Sequence, residues 1–368
     1  MKIFCQKSEL NKALNNVSHS VPTRTTTRIL EGILAEVFER EMKFTATDTN
    51  ITTEATISVS ADGTDSFVIP ARLFSGMVSK LPEEEVMLEY EAAKTKLKVK
   101  SGKFKAEIIC FRADDFPKVR IAESDDKIYI SKDTVKKLIR KTAFSASEDE
   151  LNGVLTGVLT EIDEKSIRMV AVDTFRMAVY QAEAAAGRTA RVIIPAKLIN
   201  KVSKIISDDN SEDMMSVDIV DNKVIFRFDN NKVTVNTLSG NYIDYKRIIR
   251  KESEIEVRIK CDEIVRAIDR ASILTSSQNN KLIRIEINDQ ELKINSLSDE
   301  GNIQEKIDVI KEGNDITIGF NARFLMDVFK VIDDEEIMLY MKDNVSPCII
   351  KSLSGEDYLY LILPVRIN

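Results

Sequence analysis

The sequence predicts an α+β chain made of three tandem copies of one unit, and three observations carry that expectation. The first is a recurring strand-to-helix junction: FVIPARLFSGMVSKLP from Phe67 to Pro82, RVIIPAKLINKVSKII from Arg191 to Ile206, and TIGFNARFLMDVFKVI from Thr317 to Ile332. The second is a recurring strand end, TATD, VAVD and SLSD, closing on Asp48, Asp173 and Asp299 at spacings of 125 and 126 residues. The third is local pattern, since helical apolar spacing alternates with period-two runs throughout the chain. Self-similarity at a fixed period marks a repeat architecture.

Taken in order, the first copy opens with a strand at Lys2 to Cys5 and a helix from about Lys7 to Val17, with Leu10, Ala13, Leu14 and Val17 on one face. Threonine-rich alternating segments follow as strands, at Ile33 to Phe38, Lys43 to Thr47 and Ile51 to Val59. Phe67 to Ile69 then leads into a second helix. Pro70 and Pro195 stand at the head of this helix in copies one and two, where the missing N–H forfeits no hydrogen bond, and Asn321 stands there in copy three as an N-cap. A meander closes each copy. It is plainest in the second, where VDIV, KVIFRF and KVTVNTL are separated by turns at Asp221-Asn222 and Asp229-Asn230-Asn231. Acidic turns recur in step at Glu83-Glu84-Glu85, Asp208-Asp209 and Asp333-Asp334. Each copy thus reads as two halves of strand, helix and three strands, with the first helices of copies two and three near 135–144 and 264–273. The connectors DDFPKVRIAESDD and NYIDYKRIIRKESE, in which Phe116 matches Tyr245, resemble each other and divide the chain into domains 1–124, 125–253 and 254–368.

With 368 residues, 43% of them hydrophobic, the chain can bury several cores. No apolar run approaches the ~20 residues that span a bilayer, and MKIFCQKSELNK lacks the apolar stretch of a signal peptide, so a cytoplasmic protein is expected. Cys5, Cys110, Cys261 and Cys348 lie singly in apolar patterns, as buried reduced thiols do, without the paired spacing of a metal site or disulfide framework. His19 is the single histidine, and no GxxxxGK[ST], GxGxxG, HExxH or GxSxG pattern is present. The recurring aspartates fit turns at strand ends better than metal carboxylates. No enzyme, cofactor or metal is expected.

The net charge of −7 speaks against nucleic acid, but its distribution speaks for it. The six expected helices, at 7–20, 71–82, 132–145, 196–206, 261–275 and 322–332, hold 16 Lys or Arg against 6 Asp or Glu. They carry +10, which leaves −17 elsewhere. Lysine on one helix is ordinarily a solvated face. Positive charge confined to one type of element also suits a polyanion gripped by its phosphates without readout of the bases.

The triplicated unit, the run Asp173-Thr174-Phe175-Arg176-Met177-Ala178 and the ending Leu361-Ile362-Leu363-Pro364-Val365-Arg366 together resemble the beta subunit of bacterial DNA polymerase III, the sliding-clamp family, over the whole chain. The resemblance implies three clamp-type domains, each with two helices and paired antiparallel sheets, that form half of a ring. Two chains would close head to tail around double-stranded DNA, without sequence preference. The basic faces would line the bore, with Arg24, Lys136, Lys137, Arg140, Lys141, Lys197 and Lys201 toward phosphates. Ile108 of one chain would meet Ile273 and Leu274 of the other. A pocket would take short linear peptides from the DNA polymerase III alpha subunit, the clamp loader, other polymerases and repair proteins. By family position its walls are Leu155, Val172, Thr174, Phe175, Arg176, Met177, Ile243 and Ile248 on one side and Asn321, Phe324, Ser346, Leu361, Leu363, Pro364, Val365 and Arg366 on the other. The family often has Gly or Ser then His or Tyr before the arginine, and commonly Pro where Ile243 stands, so this chain's peptide preference is its own. The alternative from another class is a three-repeat scaffold that binds acidic proteins and no DNA.

Overall fold

Among the described residues a strand enters a helix that is followed by three more strands six times, as the sequence leads one to expect. The computed structural model describes residues 1–118, 127–184, 186–206, 213–249, 252–275, 281–353 and 357–367. Its α-helices among these are α1 (Lys7–Ser18), α2 (Ala71–Val78), α3 (Lys132–Arg140), α4 (Ala196–Ile205), α5 (Cys261–Thr275) and α6 (Ala322–Phe329). The first connector falls largely outside the described residues, as do part of the second and the turn at Asp208-Asp209. None of the described helices is long and apolar enough to cross a membrane.

The chain forms two compact units that divide the middle copy between them: Met1–Asp133 with Lys197–Thr237, and Thr134–Ala196 with Leu238–Asn368. In the first unit, α1 and α2 pack between a five-stranded and a nine-stranded antiparallel sheet. Leu10, Leu14, Val17, Phe74 and Val78 meet Phe44, Phe67, Leu88 and Val99 in a dry core. Each such side chain contributes about 1.5–3 kcal/mol when buried. In the second unit, α5 and α6 pack in the same way between a four-stranded and a nine-stranded sheet, with Ile264, Ile268, Leu325 and Phe329 against Ile285, Ile294, Leu339 and Tyr360.

Each nine-stranded sheet is continuous across a junction between copies. In the first unit the strand Ile51–Ser58 of copy one pairs with Asn231–Asn236 of copy two, from Ile51 opposite Val235 to Ala55 opposite Asn231. In the second unit Arg176–Glu183 of copy two pairs with Tyr358–Ile362 of copy three, from Arg176 opposite Ile362 to Tyr180 opposite Tyr358. One rule describes both seams: the strand that ends a copy's first half pairs with the strand that ends the next copy's second half.

The local differences from expectation have local causes. The second helices end at Val78, Ile205 and Phe329, several residues early in the first and third copies, because the chain must turn toward the next strand before Pro82 and Asp333. The turn after KVIFRF uses two residues rather than three: Asp229 sits at a φ of 48° and Asn231 already pairs with Phe228. Asp48 and Asp173 are turn residues, as read from sequence. Asp48 Oδ1 accepts from the N–H groups of Asn50 and Ile51, and Asp173 Oδ1 from those of Phe175 and Arg176. The third copy departs. Leu297 opposite Asn302 matches Thr47 opposite Thr52 and Val172 opposite Met177, so the equivalent position is Ser298, whose Oγ accepts from Glu300, and Asp299 lies one residue beyond. All four cysteines are buried, and burial pushes the Cys5, Cys110 and Cys348 thiols up to about 12 and Cys261 up to about 11.

Gly32 and Gly157 occupy one repeat position, opposite Pro70 and Pro195, where a strand passes close beneath its neighbour. A Cβ at Gly157 would lie 2.6 Å from Ile193 Cγ2 and 3.1 Å from the Ile194 carbonyl, and one at Gly32 would strike Val68. Gly157→Val is therefore expected to destabilise by about 1–3 kcal/mol through overpacking, read as an earlier midpoint in thermal or urea unfolding. An unchanged midpoint would mean that the sheet yields there at no cost.

Candidate functional site

The turn after Val172 is where the middle copy differs from its sisters, and Arg176 is the reason. Only 5% of this residue is exposed. Its guanidinium bonds Asp173 Oδ2 at 3.1 Å, Asp327 Oδ2 of α6 at 2.5 Å and the Phe144 carbonyl at 2.8 Å, and it lies over the Phe324 ring at 4.6 Å. A planar fork with this many donors suits a buried junction of two carboxylates better than a lysine would. Arg176 therefore braces the second-unit seam and does not present its charge to a ligand, as a pocket-wall residue would.

Above it the surface is apolar. Phe175, 52% exposed, stacks on Phe324 with ring centres 5.7 Å apart, and Leu363 donates its N–H to the Phe175 carbonyl at 2.8 Å, which places its own exposed side chain beside the rings. Val365 continues by bonding Gly319. Pro364 and Val365 are half-buried, and Thr174 and Arg366 are exposed. Asn321 caps α6, its Oδ1 accepting from the Arg323 N–H at 2.9 Å. Across the same sheet Leu155, Val172, Met177, Ile243 and Leu361 form one cluster with Tyr242 and Tyr245. Val172, Met177 and Leu361 are buried and form the floor of this face. Tyr245 Oη donates to Glu161 at 2.7 Å; burial first, then that carboxylate, pushes its hydroxyl up to about 12 and keeps it a donor.

Ile248, Ser346 and Leu361 reach a groove of about 490 Å³. Sequence reasoning missed most of its other walls, among them Glu256, Tyr340, Lys342, Ile349 and Lys351. Tyr340 and Ile349 alternate in ordinary strands, and nothing in their pattern separates a groove-facing position from a core-facing one. The groove and the aromatic step formed by Phe175 and Phe324 both lie in the second unit, joined through Leu361 and Leu363 of one strand end.

Among the residues expected to meet phosphates, Arg140, Lys141 and Lys201 each bond a carboxylate. Arg140 and Lys141 both bond Asp333, at 2.5 and 3.2 Å, and Lys201 bonds Asp48 at 2.9 Å. Lys141 is also buried, its ammonium lying 5.1 and 5.4 Å from the Tyr180 and Tyr358 ring centres, so it is a structural cation and no phosphate ligand. The Arg140 guanidinium holds the Asp333 carboxyl below the usual carboxylate range. Lys132, the first residue of the most basic helix, is buried between Asp213 and Asp229. Arg24, Lys137 and Lys197 are exposed and Lys136 half-buried. Burial, then Lys204 and Lys201, holds the His19 imidazole below its ordinary value, which marks a basic neighbourhood where α1 meets α4.

The edge residues divide in the same way. Ile108 is buried in the first unit's core, and the exposed apolar residue of that edge strand is Ile109. Ile273 is exposed and Leu274 half-buried on α5.

The chain matches three family models in succession: the N-terminal domain of the DNA polymerase III beta subunit over residues 1–120, its central domain over 129–244 and its C-terminal domain over 246–366. It is 32% identical to the beta sliding clamp of Bacillus subtilis strain 168, with 100% of each chain covered, and 32% identical to that of Staphylococcus aureus strain COL, with 96% of each covered. The chain belongs to the DNA polymerase III beta subunit family, the beta sliding clamps. Solved structures agree. A putative DNA polymerase III beta subunit from Eubacterium rectale superposes with a TM-score of 0.94 at 35% identity, and the DNA polymerase sliding clamp from Bacillus subtilis with 0.95 at 30%, each over 100% of both chains. A three-domain clamp is thus what the repeats build, and the seams and faces above are parts of a clamp subunit.

Replacing Arg176 by Met leaves Asp173 and Asp327 facing each other without their shared partner. A loss of about 2 kcal/mol is expected, less than for a fully buried pair because Asp327 reaches solvent. Asp327→Asn should cost less than half as much, since Arg176 keeps its other two partners. Equal melting points for wild type and Arg176→Met would make the arginine dispensable to the seam.

Proposed function

We propose that two copies of this chain close head to tail around duplex DNA and slide along it, holding a replicative polymerase to its template through a short peptide. The observation that carries the closure is the seam rule. Applied a third time it pairs the strand that ends the first half of copy three, Gly301–Asp308, with the strand that ends the second half of copy one, Phe104–Ile109. Both are edge strands of their own sheets. An exposed edge is a template for another chain, and the two copies needed here satisfy each other twice with no edge left over. Keeping the observed register puts Phe104 opposite Glu305, Ala106 opposite Ile303 and Ile108 opposite Gly301. Ile273 and Leu274 of α5 flank this edge from the helix side.

Within such a ring, Lys136, Lys137 and Lys197, with Arg24, supply the phosphate contacts. Few and unspecific contacts suit sliding, because each is cheaply broken and remade, while the topological link keeps the ring on its duplex. Nothing in this mechanism requires catalysis, a metal or a cofactor, and replication places it in the cytoplasm. The aromatic step at Phe175 and Phe324, with Leu363 and Val365, offers an apolar anchor site for peptides from the polymerase alpha subunit, the clamp loader or repair proteins. Buried anchors of this kind typically carry ~2 kcal/mol or more each.

The deciding experiment loads the protein onto nicked circular DNA and then linearises it. Retention on the circle and escape from the cut ends are expected; indifference to the cut would favour an ordinary binding scaffold. Ile273→Asp with Leu274→Asp should yield a folded monomer that is not retained, because charge would be forced into a dry contact. Replacing Lys136, Lys137 and Lys197 by Glu should lower the salt slope of DNA retention by roughly one unit per lost contact, with the dimer intact. Phe175→Ala with Leu363→Ala should weaken a fluorescent polymerase-tail peptide about tenfold, on the order of 1.4 kcal/mol, without changing ring assembly. Equal peptide affinities would move the site elsewhere.

A further inference from the structure

Both seams within the chain are pinned by an ion pair at one repeat position. Lys201 is the sixth residue of α4 and Asp327 the sixth residue of α6. In the first unit Lys201 Nζ bonds Asp48 Oδ2 at 2.9 Å, across the seam from copy two to the first residue of copy one's four-residue turn. In the second unit the sign is reversed: Asp327 Oδ2 bonds Arg176 Nη1 at 2.5 Å, across the seam from copy three to the last residue of copy two's turn, and Arg176 in turn bonds Asp173 at the turn's first position. In both cases the helix position pairs with a turn residue of opposite charge, the first of the turn in one unit and the last in the other, so each seam holds a clasp outside its backbone ladder.

At the seam that closes two chains every one of these positions is blank. The sixth residue of α2 is Gly76, exposed, with nothing within 4 Å of where a Cβ would stand. The first position of copy three's turn is Ser298 and the last is Gly301. On the dimer arrangement proposed above, the closing seam keeps its strand ladder and its apolar contacts and lacks the ionic clasp.

We propose that this missing clasp, at Gly76 against Ser298, sets how readily the closing seam parts. A ring that must admit a closed duplex has to open somewhere, and charge placed at these two sites sets how readily it does. An ion pair there would act mainly on opening, because the strand ladder already fixes the geometry in which its two side chains would meet.

The test measures subunit exchange between donor-labelled and acceptor-labelled rings at low salt. Gly76→Lys with Ser298→Asp, which copies the first-unit clasp, is expected to slow exchange roughly threefold or more per seam. Gly76→Asp with Ser298→Lys, which reverses the sign of that pair, should do the same, while Gly76→Asp with Ser298→Asp should speed exchange. About 1 M salt should erase all three differences, since it cuts the screening length to ~3 Å. Gly76→Ala controls for the gain in helix propensity, which leaves the seam without a charge. Rates independent of the sign of charge at the two positions overturn the clasp while leaving the ring intact. A wild type that is monomeric at every concentration overturns the ring itself, and the clasp with it.

Discussion

Backbone hydrogen bonding across the copies is the constraint from which the rest of this structure follows. A single copy's half, four strands and one helix, has an apolar face to bury and an edge strand whose N–H and C=O groups need partners. The fold answers both needs with one arrangement. Helices of paired halves fill the space between sheets, and the last strand of one copy completes the sheet of its neighbour, as Asn231–Asn236 does for Ile51–Ser58. Sheets of nine strands result without any strand leaving its own copy's connectivity.

Once the ladder fixes the seam, side chains near it acquire roles that their residue types alone do not announce. Arg176 sits where Ile51 sits in copy one, and the seam makes the one a buried junction of two carboxylates and the other a core residue. Helix charge is treated similarly. A cation on α3 or α4 that points toward a seam finds an acid there, as Lys141 finds Asp333 and Lys201 finds Asp48. Formal charge counted along a helix therefore overstates the charge available to a polyanion.

That distinction also marks how much could be read from the sequence. Elements were legible because their signals are local: the spacing of Leu10, Ala13, Leu14 and Val17 fixes a helical face whatever packs on it, and Asp221-Asn222 makes a turn by its own side-chain chemistry. Seams were not legible, because strand pairing between residues some 180 positions apart leaves no trace in either strand's pattern. The same limit acts on single residues. Ile108 and Ile109 are indistinguishable by type, and only the facing of one edge strand decides that the first is core and the second is surface. Asp299 matched its sisters by letter, yet the hairpin register gave its position to Ser298.

The peptide face depends on the ladder most directly. Leu361 and Leu363 are two residues apart on the strand that ends copy three, so on a regular strand both would face the same way, with Ile362 turned toward the helices. Leu361 stays in the cluster with Met177 and Tyr245, but the strand ends at Ile362, and beyond that point Leu363 bonds back to Phe175 and emerges beside its ring. Strand pairing thus stops where an apolar run is still in progress, and the unfinished run becomes surface. Had the ladder continued by two residues, Leu363 would have been one more core residue; because it stops, the seam that holds two copies together also supplies the exposed apolar step at its end.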